Sequence, residues 1–329
     1  MILRWSLLAT NKQRNPDVVI VGTDPILSVL IAIVWRFFRP RTILVNWCFD
    51  LYPEAAFADG VLSRTSIVAR LLQALLKKAY RACDLIVDIG PCMRKKLLLY
   101  DPSLRITTIV PWALEEPPSA LPVPSGERRI VFGDSSFGVL YSGSFGRPHS
   151  YELILELARR LRADDVQVSF SVRGNRVTAL RSAVDLEDLN ISFVPFSESG
   201  TLSDRLACAD VHLVSLREEW TGTVVPSKFF GALAIGRPVI FCGDRESSVA
   251  QWIEHYDLGW VLTRQNISEI TASIRGLSKD ASEIQKKREH CHAVYQACFS
   301  REISLQGWHK NLADLMVDRE GLVVAPLGS

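Results

Sequence analysis

The stretch Gly222–Phe241, GTVVPSKFFGALAIGRPVIF, places an apolar run between a proline and a glycine and then continues directly into a β-branched segment. Proline suits the first helical position because its missing N–H would have no partner there. A helix is therefore expected to open near Pro226 and to run to about Ile235. Gly236 and Pro238 close it, and 238–241 reads as a strand. The amides of Thr223 to Ser227 would then face out of the first turn, which makes an anion site. Lys228 sits in that turn, where the helix dipole disfavours a cation by a few tenths of a kcal/mol up to roughly one. A bound phosphate reverses that sign, although a plain surface lysine is the alternative.

Outward from this segment, short β-branched runs alternate with longer helical patterns, the signature of parallel sheets covered on both faces. In the first half, 17–22, 42–47, 84–88 and 106–110 read as strands, and 25–38, 65–81 and 91–100 as helices. In the second half, 138–142, 166–172, 191–194, 211–215, 238–241 and 260–262 read as strands, with a helix over 150–162. Two helices, divided near Phe299 to Arg301, end the chain. Between the halves, residues 115–127 hold Pro117, Pro118, Pro122 and Pro124, a composition suited to an extended connection. The expected organisation is α/β with two doubly wound Rossmann-like domains: 1–115, a linker at 116–127, 128–300, and a helix and tail at 301–329. In such sheets a ligand binds beyond the carboxyl ends of the strands, so the gap between two such domains is the expected site.

The 329 residues exceed what one core usually supports, in agreement with two domains. Residues 1–125 carry 15 Lys/Arg against 10 Asp/Glu, a net of +5, so the remainder is net −3 within the overall +2. A basic, apolar first half suits the surface of an anionic membrane, and a solvated charged face explains the same residues. No Lys/Arg stripe interleaved with aromatics suggests nucleic acid. The apolar run 26–38, interrupted by Arg36, is too short to span a bilayer. Seven cysteines without a CxxC pair read as buried thiols of a reducing, cytoplasmic compartment.

A second loop, YSGSFGRPHS at Tyr141–Ser150, follows a strand and precedes a helix. Gly143 and Gly146 permit close backbone approach, and Arg147 offers a fork of donors to a diphosphate. The loop lacks both the GxGxxG and the GxxxxGK[ST] spacings, which argues against dinucleotide and P-loop chemistry. Asp50 and Glu54 in DLYPE follow a strand, and either carboxylate suits the acceptance of a hydroxyl proton; a turn capped by aspartate accounts for the same letters.

Together these segments resemble family 4 glycosyltransferases of the GT-B fold, nearest to bacterial enzymes of exopolysaccharide and O-antigen synthesis. The resemblance is carried by YSGSFGRPHSYELILELARRL, VSFSVRGN, LACADVHLVSL and GTVVPSKFFGALAIGRPVI in the second half. In the first half it is carried by PDVVIVGTDP, DLYPEAAFADGVL and YRACDLIVDIGPCMRKKL. It implies a retaining, metal-independent transfer of a sugar from a nucleoside diphosphate donor to a lipid-linked or glycan acceptor, with no cofactor, in the cytoplasm or at the inner membrane face. The absence of an Asp-x-Asp motif fits that chemistry. The resemblance further implies that Gly222, Thr223, Val224, Val225 and Ser227 approach the donor. Lys228 and Arg147 would lie at the diphosphate, Gly143 and Ser144 beside it, Arg173 and Gly174 at the base and ribose, and Glu219 or Glu218 near hydroxyls.

The sequence departs from the family in three places. Thr223 and Gly231 stand where many members carry two glutamates, and Ser144 replaces a basic residue, leaving Arg147 and His149 farther along. No histidine precedes His149, and an initial strand, glycine-rich loop and βα unit expected of the family are missing ahead of PDVVIV. The first domain is accordingly expected to be incomplete. A non-catalytic nucleotide-sugar-binding subunit is the alternative function.

Overall fold

The computed structural model describes residues 2–10, 16–196 and 202–324. The end of the expected tail, from 325, lies outside them. The chain divides into two compact units. The first comprises 1–110, 222–225 and 302–329, and the second 111–221 and 226–301.

The first unit runs α1 (Ile2–Leu8), β1 (Val18–Val21), α2 (Ile31–Phe38), β2 (Ile43–Trp47), α3 (Glu54–Ala58), α4 (Ile67–Ala82), β3 (Leu85–Asp88), α5 (Pro91–Leu98) and β4 (Ile106–Thr108). Its four strands pair in parallel in the order β1-β2-β3-β4. β2 and β3 are almost wholly buried, as strands covered on both faces must be, which is why they read as unbroken apolar runs. β1 is an edge, with Ile20 exposed.

The second unit runs α6 (Ser125–Phe132), β5 (Phe137–Ser144), α7 (Glu152–Arg160), β6 (Val166–Arg173), α8 (Val177–Ser182), β7 (Ile191–Phe193), α9 (Leu202–Ala207), β8 (Val211–Ser215), α10 (Lys228–Ala234), β9 (Val239–Cys242), α11 (Ser248–Tyr256), β10 (Gly259–Leu262), α12 (Ile267–Leu277) and α13 (Ala281–Cys298). The parallel sheet has the order β7-β6-β5-β8-β9-β10, the doubly wound arrangement whose direction reverses between β5 and β8. The last helix, α14 (Arg301–Val324), returns to the first unit. There Trp308 and Leu315 pack on Val45, Leu85 and Val87, and Arg319 reaches Asp84 at 3.1 Å.

The strands agree with the alternation read from the sequence to within a residue or two at their ends. Two expectations change. The change of unit falls at Val110/Pro111, and the proline-rich stretch 116–127 is fastened to the second unit. The Tyr295 hydroxyl donates to Glu116 (2.5 Å), Pro117 O lies 3.0 Å from His292, and α6 begins at Ser125. The segment from Pro226 also forms less regular helix than expected. Phe229 N bonds Pro226 O and Phe230 N bonds Ser227 O, so a tight turn leads into a helix that starts only at Lys228.

The Gly-Arg-Pro ending has a definite physical cause. Gly236 has φ +78°, and a Cβ there would lie 2.6 Å from Ala120 Cβ and 2.7 Å from Arg288 O. Arg237 is wholly buried, and its guanidinium donates to the carbonyls of Ala209, Ile235, Gly236, Leu121 and Ala207 at 2.5–3.3 Å. Two of these carbonyls, those of Ile235 and Gly236, lie in the turn that follows α10. Replacing Arg237 by Met removes a donor from all five and leaves only Ile235 O with another partner among the described residues, the Leu121 amide at 3.2 Å. We expect Arg237→Met to cost about 3–5 kcal/mol, read as a lower urea midpoint for the second unit's transition; an unchanged midpoint would show that water replaces the guanidinium.

Candidate functional site

A cavity of about 380 Å³ in the second unit lies where the direction of the sheet reverses. Ser142, Gly143 and Ser144 from the end of β5 line it, with Ser227, Lys228 and Gly231 from the α10 segment. This is the position at which a doubly wound sheet leaves a crevice beyond its carboxyl ends.

Lys228 is the charged centre of that cavity. Its stem crosses the backbone of Gly143, where φ is +124° and a Cβ would fall 2.8 Å from Lys228 Cε. Gly143 is thus required twice, for its backbone angle and for the space the lysine fills. The Nζ sits 5.5 Å from the centroid of the Tyr141 ring and 3.2 Å from His149 Nε2. The other ring nitrogen, His149 Nδ1, is 2.7 Å from Ser215 O. A carbonyl can only accept, so Nδ1 carries the hydrogen and the Nε2 lone pair faces the ammonium. Burial, then the adjacent Lys228 charge, lowers the His149 pKa to about 4, so the ring is neutral and serves as an acceptor.

No carboxylate pairs with Lys228 among the described residues; Glu115, which also lines the cavity, is engaged by the Ser203 hydroxyl. Desolvation lowers the Lys228 pKa from 10.5 to about 8. Because the folded value lies below the unfolded one, the charged lysine costs the fold stability in full below about pH 8. That cost fades as pH rises toward 10.5. A half-buried, desolvated cation without a carboxylate partner among the described residues is the electrostatic condition for holding an anion.

The other residues singled out in the sequence divide into groups. Ser227 joins Gly143, Ser144 and Lys228 at the cavity. Arg173 ends β6 opposite Ser144, with its guanidinium carbon 4.4 Å from the centroid of the Phe196 ring, which also lines the cavity. Gly174, at φ +137°, is needed because a Cβ would strike Phe145 O at 2.5 Å. Arg147 is exposed and Glu219 pairs with Arg217 at 3.6 Å; neither side chain lines the cavity.

Gly222–Val225 groups instead with the first unit, where Val224 bridges Asp50 and Leu51 N donates to Thr223 O at 3.0 Å. The expected amides thus fall in both units, Thr223 to Val225 in the first and Ser227 in the second, and within the second unit the cation at the cavity is Lys228. Asp50 belongs to the first unit, its carboxyl pKa raised by desolvation and by Asp24. In the sequence His149 is only a histidine farther along the loop after β5. Only the carbonyl of Ser215, far along the chain, gives it a fixed role. All seven cysteines are free, and among the described residues no three metal-ligating side chains come together.

No protein-family model matches the sequence. The chain is 26% identical over 268 residues to a probable glycosyltransferase, WbjE, of Pseudomonas aeruginosa, an alignment covering 78% of this chain and 64% of that protein. It is 25% identical over 139 residues to a putative colanic acid biosynthesis glycosyl transferase, WcaI, of Escherichia coli K12, covering 42% and 34%. The matches thus span less than two thirds of either relative. Among solved structures, HepE of Anabaena in complex with UDP and glucose superposes with a TM-score of 0.71 at 14% identity, over 95% of this chain and 80% of that one. Sucrose-phosphate synthase of Thermosynechococcus elongatus gives 0.68 at 14% identity, over 96% and 77%. By fold, two parallel sheets in two units, the chain is a GT-B protein, and in sequence it is similar to bacterial proteins named as glycosyltransferases.

Proposed function

We propose that this chain is a glycosyltransferase of bacterial polysaccharide synthesis. It takes a sugar from a nucleoside diphosphate donor and passes it, with retention at the anomeric carbon and without a metal, to a glycan or lipid-linked acceptor. The observation that carries this reading is Lys228: desolvated, without a carboxylate partner among the described residues, and laid across Gly143 at the mouth of β5. Breaking a sugar–phosphate bond leaves charge on the diphosphate, and a preorganised, partly desolvated cation stabilises that charge most where it develops. Ser142, Ser144 and Ser227 supply further donors at the same place, and the Arg173–Phe196 pair offers a face to the base and ribose.

The first unit is suited to lie on an anionic membrane. α4 exposes Ile67, Val68, Leu71 and Leu75, and it carries Arg70, Lys77, Lys78 and Arg81 with no acidic residue. An apolar stripe flanked only by cations matches an anionic bilayer surface rather than a protein face of mixed charge. No helix among the described residues is long and apolar enough to cross a membrane, so such contact would be peripheral.

Three measurements test the reading. Calorimetry should show UDP binding weakened tenfold or more by Lys228→Ala, with uridine binding nearly unchanged; equal losses for both ligands would remove Lys228 from the diphosphate. UDP affinity should fall as pH rises through about 8, where the free protein loses the Lys228 proton. The phosphate ionisations are complete by then, since the second lies near pH 6, and an affinity flat from pH 7 to 9.5 would contradict the assignment. Flotation should find the chain on vesicles containing phosphatidylglycerol but not on pure phosphatidylcholine, and Leu71→Asp should abolish it; equal binding to both lipids would exclude the charged face of α4 from docking.

A further inference from the structure

A second cavity, about 310 Å³ in volume, lies in the first unit among α3, α4 and α5. Arg64, Lys77 and Lys96 line it together with Glu54 and Tyr100. None of the three cations has an ion-pair partner among the described residues; the Arg64 guanidinium carbon lies 4.8 Å from the centroid of the Phe57 ring. Three positive charges thus surround one negative charge, in a recess large enough for a monosaccharide.

Glu54 gives the recess its chemistry. It is only 6% exposed, and its Oε1 accepts from the Tyr100 hydroxyl at 2.6 Å. Its other oxygen, Oε2, is buried with no hydrogen-bond partner. A buried carboxylate oxygen without a donor costs free energy, which a ligand hydroxyl relieves once the Glu54 side chain turns Oε2 toward the cavity that it lines. A bare anion drawn by the cations would meet this carboxylate and be repelled. A ligand carrying both an anionic group and hydroxyls satisfies every group present.

The GTVV loop belongs to the same arrangement. Gly222 has φ +75°, and a Cβ there would lie 2.8 Å from Lys96 Cε and 2.5 Å from Cys92 O. The loop backbone therefore forms a wall against the Lys96 stem. Burial, followed by the charge of Arg64, lowers the Lys96 pKa, a penalty that a bound anion relieves.

The geometry points to a phosphorylated sugar in this cavity, its phosphate on Arg64, Lys77 and Lys96 and its hydroxyls toward the Glu54 side chain. If the transferase reading holds, on which this clause rests, the ligand is the charged head of the acceptor. The same chemistry is offered by a free sugar phosphate and by a sugar carried on a lipid diphosphate.

The test is calorimetry on the full chain with glucose 1-phosphate and, separately, with a short-chain prenyl-diphosphate glucose. At least one should bind the wild type. Lys96→Met and Arg64→Gln should each weaken that binding tenfold or more, while Lys228→Ala should leave it within about twofold. Arg64 is exposed, so its variant carries the test if the Lys96 variant loses its fold. Binding of the prenyl ligand alone assigns the site to a lipid-borne head, and equal binding of both assigns it to the sugar phosphate itself. No binding of either by the wild type, or loss in Lys228→Ala with Lys96→Met unchanged, overturns the proposal. Failure of UDP to bind would remove the transferase reading while leaving this result standing.

Discussion

The second unit depends on one buried guanidinium. Arg237 gathers carbonyls from the turn after α10, from Ala207 and Ala209 and from Leu121 in the proline-rich stretch. The nearby carboxylate, Asp210, is occupied by Arg128 and Arg288. Arg237 therefore hydrogen-bonds to dipoles alone, with Asp210 adding only a through-space charge. A planar fork with five donors can do this, whereas the compact ammonium of lysine cannot. By fixing the carboxyl end of a helix only seven residues long, this arrangement also fixes Lys228 at the other end.

The charge economy at Lys228 follows from that rigidity. A flexible lysine would move its ammonium into water, but here the stem lies against Gly143, and the ammonium meets the Tyr141 ring and a neutral imidazole. The resulting desolvation is a standing cost to the folded state. Such a cost persists at a functional site when a ligand repays it, and in the proposed function that ligand is the diphosphate of the donor.

Much of this was legible in the chain. The parallel sheets announce themselves in runs such as Val211–Ser215 and Leu85–Asp88, because a strand covered on both faces must be apolar throughout. Lys228, Gly143 and Ser227 could be singled out because glycine and proline mark where backbone and ligand approach. What the sequence hid depends on contacts distant along the chain. The partnership of His149 is set by Ser215, the detachment of Gly222–Val225 by Asp50, and the fastening of 116–127 by Arg237, Tyr295 and His292. None of these has a local signature, since each joins segments tens to hundreds of residues apart.

The most direct test of the central claim is a crystal structure of the chain with UDP. The expected result is a diphosphate oxygen within hydrogen-bond distance of Lys228 Nζ, beside the backbone of Gly143 and Ser144. A nucleotide bound with its phosphates elsewhere, and Lys228 still held by His149 alone, would contradict it.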